Sequence, residues 1–314
     1  MTTAAGGHPA GAGGHPAARW RARLMLVGSA VAFAVMAVLA RLLSRPSVPA
    51  AGRFDAGQLT VLRFVVGAAI SLASFRIRPG LYRPHNRRLL WQRGISGGIV
   101  VVLYFLALER IPAGEAGMLY NLFPVFAVLM AVRVFGERPT VHLVLALLVA
   151  TAGVALVLGG GSLRLDVGPG EAFAFGAAVF AAISAVTIRA MRGTDNAATI
   201  FFYFCLGGLP VALPFALGAW PTAPRAWALA VAMGVAAYVA QVLMTEAYGA
   251  LSVPEAAAWL QLTPIAQVTL GALVLGEAVT PLAFVGAVVG VAGVAWGTVL
   301  GSTRTAPAPS APPP

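Results

Sequence analysis

Few side chains in this 314-residue sequence carry chemistry, and their spacing is informative. Glu255, Trp259, Thr263 and Gln267 recur every four residues, which places them on one slowly drifting helix face. Tyr238, Gln241, Thr245 and Tyr248 follow at intervals of three, four and three, again one face. Tyr120 and Asn121, with Tyr104 before them, offer the same group types earlier in the chain. Such faces can bind an organic solute through neutral donors, acceptors and aromatic walls, or they can hydrogen-bond one helix to another. Two charged residues lie inside apolar runs. Glu246 can load a coupling proton or snorkel toward an interface, and Arg63 can meet an anionic group of a ligand or pair with an acid such as Glu246.

One motif invites a hydrolytic reading. Gly94-Ile95-Ser96-Gly97-Gly98 matches the small-residue frame around a serine nucleophile. A serine needs a base, however, and the histidine downstream is His142, at the start of a different apolar run. No strand–turn–helix context surrounds it, and in a chain with 36 glycines such a match arises easily. The near-repeat Gly7-His8-Pro9 and Gly14-His15-Pro16 reads as a flexible tail rather than a metal site.

The elements that carry these residues are membrane helices. With 59% hydrophobic residues, 10% charged residues and a mean hydropathy of +0.86, the chain holds more apolar surface than a water-soluble fold can bury. All 21 basic residues are arginine, so a Walker A loop, which needs lysine, is excluded. The single Cys205 excludes an internal disulfide and a multi-cysteine metal site, and no motif calls for a cofactor. The net charge of +11 comes from arginines at the ends of apolar runs, which argues for membrane topology rather than nucleic-acid binding.

Ten spans are expected, at about 24–43, 58–75, 94–109, 114–135, 141–158, 170–188, 198–217, 226–248, 254–275 and 281–300. Residues 1–18 and 302–314 read as disordered tails, and 159–169 as a linker between halves 24–158 and 170–300. The arginines of the loop 76–93, with Arg138, Arg189 and Arg192, place both termini on the cytoplasmic side of a plasma (inner) membrane, although Arg41, Arg45 and Arg53 fall opposite.

The halves repeat one another. Leu122, Pro124, Gly136 and Glu137 return 140 positions later as Leu262, Pro264, Gly276 and Glu277. Gly28 through Arg41 returns as Gly176 through Arg189 at an offset of 148, which puts an insertion of eight residues in the first half, most simply in the loop 44–57. Five spans per half make the repeats antiparallel across the membrane, the architecture of alternating-access carriers. Pro124 and Pro264 sit mid-span and each frees a carbonyl, of Tyr120 and Leu260, as a binding site at mid-depth requires. A packing kink is the alternative. Glu137 and Glu277, at span ends, are expected to pair with a loop arginine or cap the next helix. Glu115 and Glu255 are expected to cap spans four and nine.

The pattern Ala116, Pro124, Glu137 with Thr151-Ala152-Gly153-Val154, doubled at Ala256, Pro264, Glu277 and 290–295, resembles the EamA domain of the drug/metabolite transporter superfamily. Leu62-Arg63-Phe64 and Gly170-Glu171 are similar to that family too, and the resemblance covers about 24–300. It implies an all-α integral membrane fold of ten helices in two inverted five-helix repeats. It also implies transport, by a secondary mechanism, of a small organic metabolite such as an amino acid or another neutral or aromatic solute. The expected substrate-binding residues are Tyr120, Asn121, Tyr238, Gln241, Thr245, Trp259, Thr263 and Gln267, with Glu246 and Arg63 the candidates for coupling to a proton or counter-solute. Rival readings are an intramembrane hydrolase using Ser96 and a non-transporting or lipid-handling bundle. The small-residue series Gly286, Gly290, Gly293, Gly297 and Gly301 fits close helix packing, including a homodimer face.

Overall fold

The computed structural model describes residues 16–45, 47–108, 110–111, 113–159, 168–300 and 303–305. The first half holds α1 (Pro16–Ser44), α2 (Ala56–Ile77), α3 (Arg87–Leu108), α4 (Ala113–Tyr120), α5 (Phe123–Phe135) and α6 (Val141–Gly159). The second holds α7 (Pro169–Met191), α8 (Ala197–Ala212), α9 (Pro224–Ala247), α10 (Val253–Leu260), α11 (Leu262–Leu275) and α12 (Pro281–Val299). Helices α4 and α5 form one broken span, as do α10 and α11. Among the described residues nine spans are long and apolar enough to cross a membrane, and α3, with 22 residues beginning at Arg87, makes a tenth segment of membrane length.

The breaks fall where proline demands them. Pro124 and Pro264 cannot donate to the carbonyls of Tyr120 and Leu260, and the chain interrupts the helix at Asn121–Leu122 and at Gln261. Tight i→i+3 bonds bridge both gaps, Leu122 N–H to Leu119 O (3.2 Å) and Gln261 N–H to Ala258 O (3.2 Å). Each broken span then ends on a left-handed glycine, Gly136 (φ 63°) and Gly276 (φ 65°), a conformation that favours a residue without Cβ. Asp55, Asn196, Ser252 and Thr280 cap α2, α8, α10 and α12 with their side chains.

The principal helix contacts run between halves: α1 on α9, α3 on α7 and α8, α1 on α11, α5 on α7, α2 on α8 and α6 on α12. The α6–α12 pair is antiparallel and close. A Cβ at Gly153 would meet the backbone of Gly290, one at Gly286 the backbone of Gly153, and one at Gly293 the backbone of Ala150. The glycine face of α12 is therefore used within the chain. β1 (Glu137–Pro139) pairs antiparallel with β2 (Thr303–Thr305), which brings 303–305 beside the start of α6. The starts of α1, α3, α6, α8 and α10 share one face of the bundle, called the near face below, and the starts of α2, α4, α7, α9 and α12 share the far face. Helix α1 begins at Pro16, inside the expected tail, and residues 1–15, 160–167 and 306–314 of the expected tails and linker lie outside the described residues.

Candidate functional site

Each face is closed by ion pairs made between halves. On the far face Arg41 pairs with Glu277 and Arg45 stands 3.5 Å from the same carboxylate. On the near face Arg189 Nε lies 3.8 Å from Glu137 Oε1. Arg41 and Arg189 are repeat equivalents, as are Glu137 and Glu277, so one contact occurs twice, on opposite faces, each time joining the first helix of one half to the broken span of the other. The αL glycine before each glutamate turns the chain so that the acid can face that arginine.

The two closures differ in burial. Glu137 is 3% exposed and also accepts the Val253 N–H (3.1 Å), whereas the Glu277 side chain is 38% exposed. Burial pushes the Glu137 carboxyl above the ordinary glutamate range, against the opposing pull of the Val253 N–H and Arg189. The near face carries further pairs: Glu255, 6% exposed, accepts from Arg19 and Arg23 (2.7 Å each), and Arg192 donates to Glu246 at 2.7 Å. Removing a partner from a buried pair strands a charge at a cost of about 3–5 kcal/mol, far more than an exposed pair contributes. The near face is therefore the more firmly shut. At the far face a cavity of about 250 Å³ opens beside Arg41, Glu277, Thr280 and Leu158.

Between the closures lies a polar centre built on two touching phenylalanines. Phe64 and Phe204 stand 140 residues apart, the offset of the repeat, and their rings meet edge to face with centroids 5.1 Å apart. The Arg93 guanidinium lies 4.0 Å from the Phe204 centroid, and that of Arg63 lies 5.8 Å from the same ring and 5.5 Å from Phe64. Arg93 is 4% exposed, reaches Gln241 Oε1 at 3.5 Å and leaves Nε without a partner. Arg63 touches Met36 Sδ at 4.0 Å and keeps partial accessibility. Tyr120, flanked by the tilted rings of Tyr104 (5.2 Å) and Phe123 (5.6 Å), is within electrostatic reach of both arginines. An arginine near the middle of a membrane helix costs about 3 kcal/mol, so two together call for a compensating group.

Of the residues expected at a site, Arg63, Tyr120 and Gln241 are brought to this centre, Gln241 against Arg93. Tyr238 packs edge-on against Phe201 (5.2 Å), and Thr245 is buried in the last turn of α9, two residues from its near end. Asn121 donates to Gly117 O within its own break. Trp259 and Gln267 are half-buried along the second broken span, and the Thr263 hydroxyl and Gln261 Oε1 are buried there without partners. Glu246 lies at the near end of α9 on Arg192, away from Arg63. Ser96 Oγ contacts Arg93 O (3.4 Å) and Ser184 Oγ (3.5 Å), while the His142 ring lies tilted 6.4 Å from Trp296. Sequence reasoning missed Arg93 and Phe204. The apolar run that begins at Gly94 leaves Arg93 in the basic loop, but α3 starts at Arg87 and carries Arg93 well into the bundle. Its signal was Gly97: a Cβ there would collide with Arg93 Nη1 and the Phe204 ring.

A polar centre enclosed by two inverted repeats, each face shut by the same contact, defines an inverted-repeat membrane carrier. The model of the EamA-like transporter family matches residues 20–159 and 168–298, and the chain belongs to that family. Among similar proteins, the pseudopaline exporter CntI of Pseudomonas aeruginosa is 27% identical over 72% of this chain and 77% of its own length. A protein of Streptantibioticus cattleyicolor named as a probable terminal-alkyne amino-acid exporter is 30% identical over 75% of this chain and 82% of its own. The aromatic amino acid exporter YddG of Ancylobacter novellus is 28% identical over 56% of this chain and 64% of its own. A solved crystal structure shares the fold with a TM-score of 0.73, covering 89% of this chain and 96% of that one at 23% identity.

Proposed function

We propose that this chain exports a small organic metabolite related to amino acids across the cell membrane, alternating access to the centre between Phe64, Phe204 and the broken spans. The observation that carries the mechanism is the repeated arginine–glutamate contact, Arg41–Glu277 on one face and Arg189–Glu137 on the other. Because the repeats are inverted, opening one face by parting its contact is structurally equivalent to opening the other. The relatives named as amino-acid exporters support the substrate class and direction.

The near face is read as cytoplasmic, with both termini on it. Arg19, Arg21, Arg23, Arg76, Arg78, Arg83, Arg87, Arg88, Arg133, Arg138, Arg189 and Arg192 lie there, against Arg41, Arg45, Arg53, Arg110 and Arg225 on the far face. Without a nucleotide motif, uphill movement draws on a proton or an exchanged solute. The broken spans supply the solute's neutral contacts through Tyr120, Trp259 and Thr263. The test is efflux of an amino-acid panel from reconstituted vesicles: substrate-specific efflux that Trp259→Ala abolishes at normal abundance supports the reading, and a protein inert toward the whole panel contradicts it.

A further inference from the structure

We propose that Arg63 and Arg93 form the receptor for a carboxylate on the transported solute; this rests on the carrier reading above and adds the chemistry of the group recognised. Each carboxylate whose side chain is described is engaged elsewhere: Asp55 and Glu171 cap helices, Asp195 accepts from His85 N–H, and Glu137, Glu246, Glu255 and Glu277 hold arginines at the two faces. None lies within ion-pair distance of Arg63 or Arg93 among the described residues. Both cations instead rest on Phe204, in the interior of the bundle, with Arg93 Nε buried and unpaired.

The fold does not require them. The positions 140 residues on from Arg63 and Arg93 hold Tyr203 and Met233, neither of them a cation, while the neighbours Phe64, Gly67 and Gly94 in sequence recur as Phe204, Gly207 and Gly234. The cations are therefore added to one half of a symmetric scaffold. Guanidinium forks match carboxylate geometry, and a buried cation without an internal acid gains most from an anionic ligand. Phe204, Phe64 and Tyr120 supply the apolar and aromatic wall beside that charge, so the fitting solute joins a carboxylate to an apolar or aromatic body. Gly97 keeps the room in which Arg93 folds onto Phe204.

The experiment measures binding to the purified full chain by displacement of its melting temperature, with four probes: 3-phenylpropanoate, phenylsuccinate, 3-phenylpropanamide and phenyl phosphate. The carboxylates are expected to stabilise the protein and the isosteric amide to fail, with apparent affinity falling about tenfold or more in Arg93→Gln and Arg63→Gln. Arg93→Lys should recover part of the loss. Size-exclusion profiles and unliganded melting temperatures establish that the variants are folded. If Arg93→Gln does not fold, Arg63→Gln and Gly97→Ala, which displaces the guanidinium, carry the same comparison. Equal response to acid and amide, response to phenyl phosphate alone, or no response to any carboxylate would overturn the proposal. Carboxylate binding without vesicle efflux would leave the anion receptor standing and refute the carrier reading. Efflux confined to uncharged or cationic solutes would do the reverse.

Discussion

At the scale of the residue, the conspicuous polar groups divide into those that shut the bundle and those that face its interior. Gly136 and Gly276 belong to the first group, because each holds a left-handed turn ahead of a latch glutamate. Gly136→Ala should destabilise the protein by about 1–2 kcal/mol, read as a lower melting temperature in detergent, although nothing polar is removed. Ser96 contacts only Arg93 O and Ser184 Oγ through its hydroxyl, so Ser96→Ala should transport at the wild-type rate; loss of transport at normal abundance would return the hydrolase reading. Much of this was legible in the sequence. The paired Pro124/Pro264, Gly136/Gly276 and Glu137/Glu277 announced two broken spans and two acidic turns, since duplication preserves what the backbone cannot do without. The partners of those acids were not legible, because Arg189 reaches Glu137 only after the halves interlock, a tertiary fact that spacing does not carry. Arg93 was hidden for a different reason: in a run of arginines, nothing local separates the last solvated cation from the first buried one.

At the scale of the element, the proposed alternating access makes paired jaws of the broken spans and the first helix of each half. Closing the near jaw buries Glu137, and burial raises its pKa above that of an exposed glutamate. The sign follows by linkage: the state with the higher pKa binds the proton more tightly, so acidification favours the near-closed state, and that preference is lost as pH rises through the raised value. Labelling of a cysteine introduced at Val253, fully buried at the near end of α10 in the closed state, in a Cys205→Ser background, should slow as pH falls when Glu137 is intact. Glu137→Gln, which removes the titrating group, should abolish this pH dependence. Glu246 belongs to the same jaw through Arg192. Glu246→Gln is expected to speed near-face opening while keeping proton-driven accumulation; loss of accumulation with exchange intact would make Glu246 the coupling acid.

At the scale of the whole molecule, two halves hold each other shut on opposite faces around a centre that only one half charges. Reporter fusions after Tyr82 and after Gly218, on opposite faces of the bundle, should report opposite sides of the membrane, with the first in the cytoplasm. The direct test of alternating access locks the far jaw. Cysteines at Arg41 and Glu277, in the Cys205→Ser background, are joined by a short reducible bifunctional reagent, and solute exchange across vesicles is followed before and after reduction. The account predicts that the locked protein still takes up solute from the near face but exchanges none across the membrane, and that reduction restores exchange. Undiminished exchange through the locked protein would contradict it.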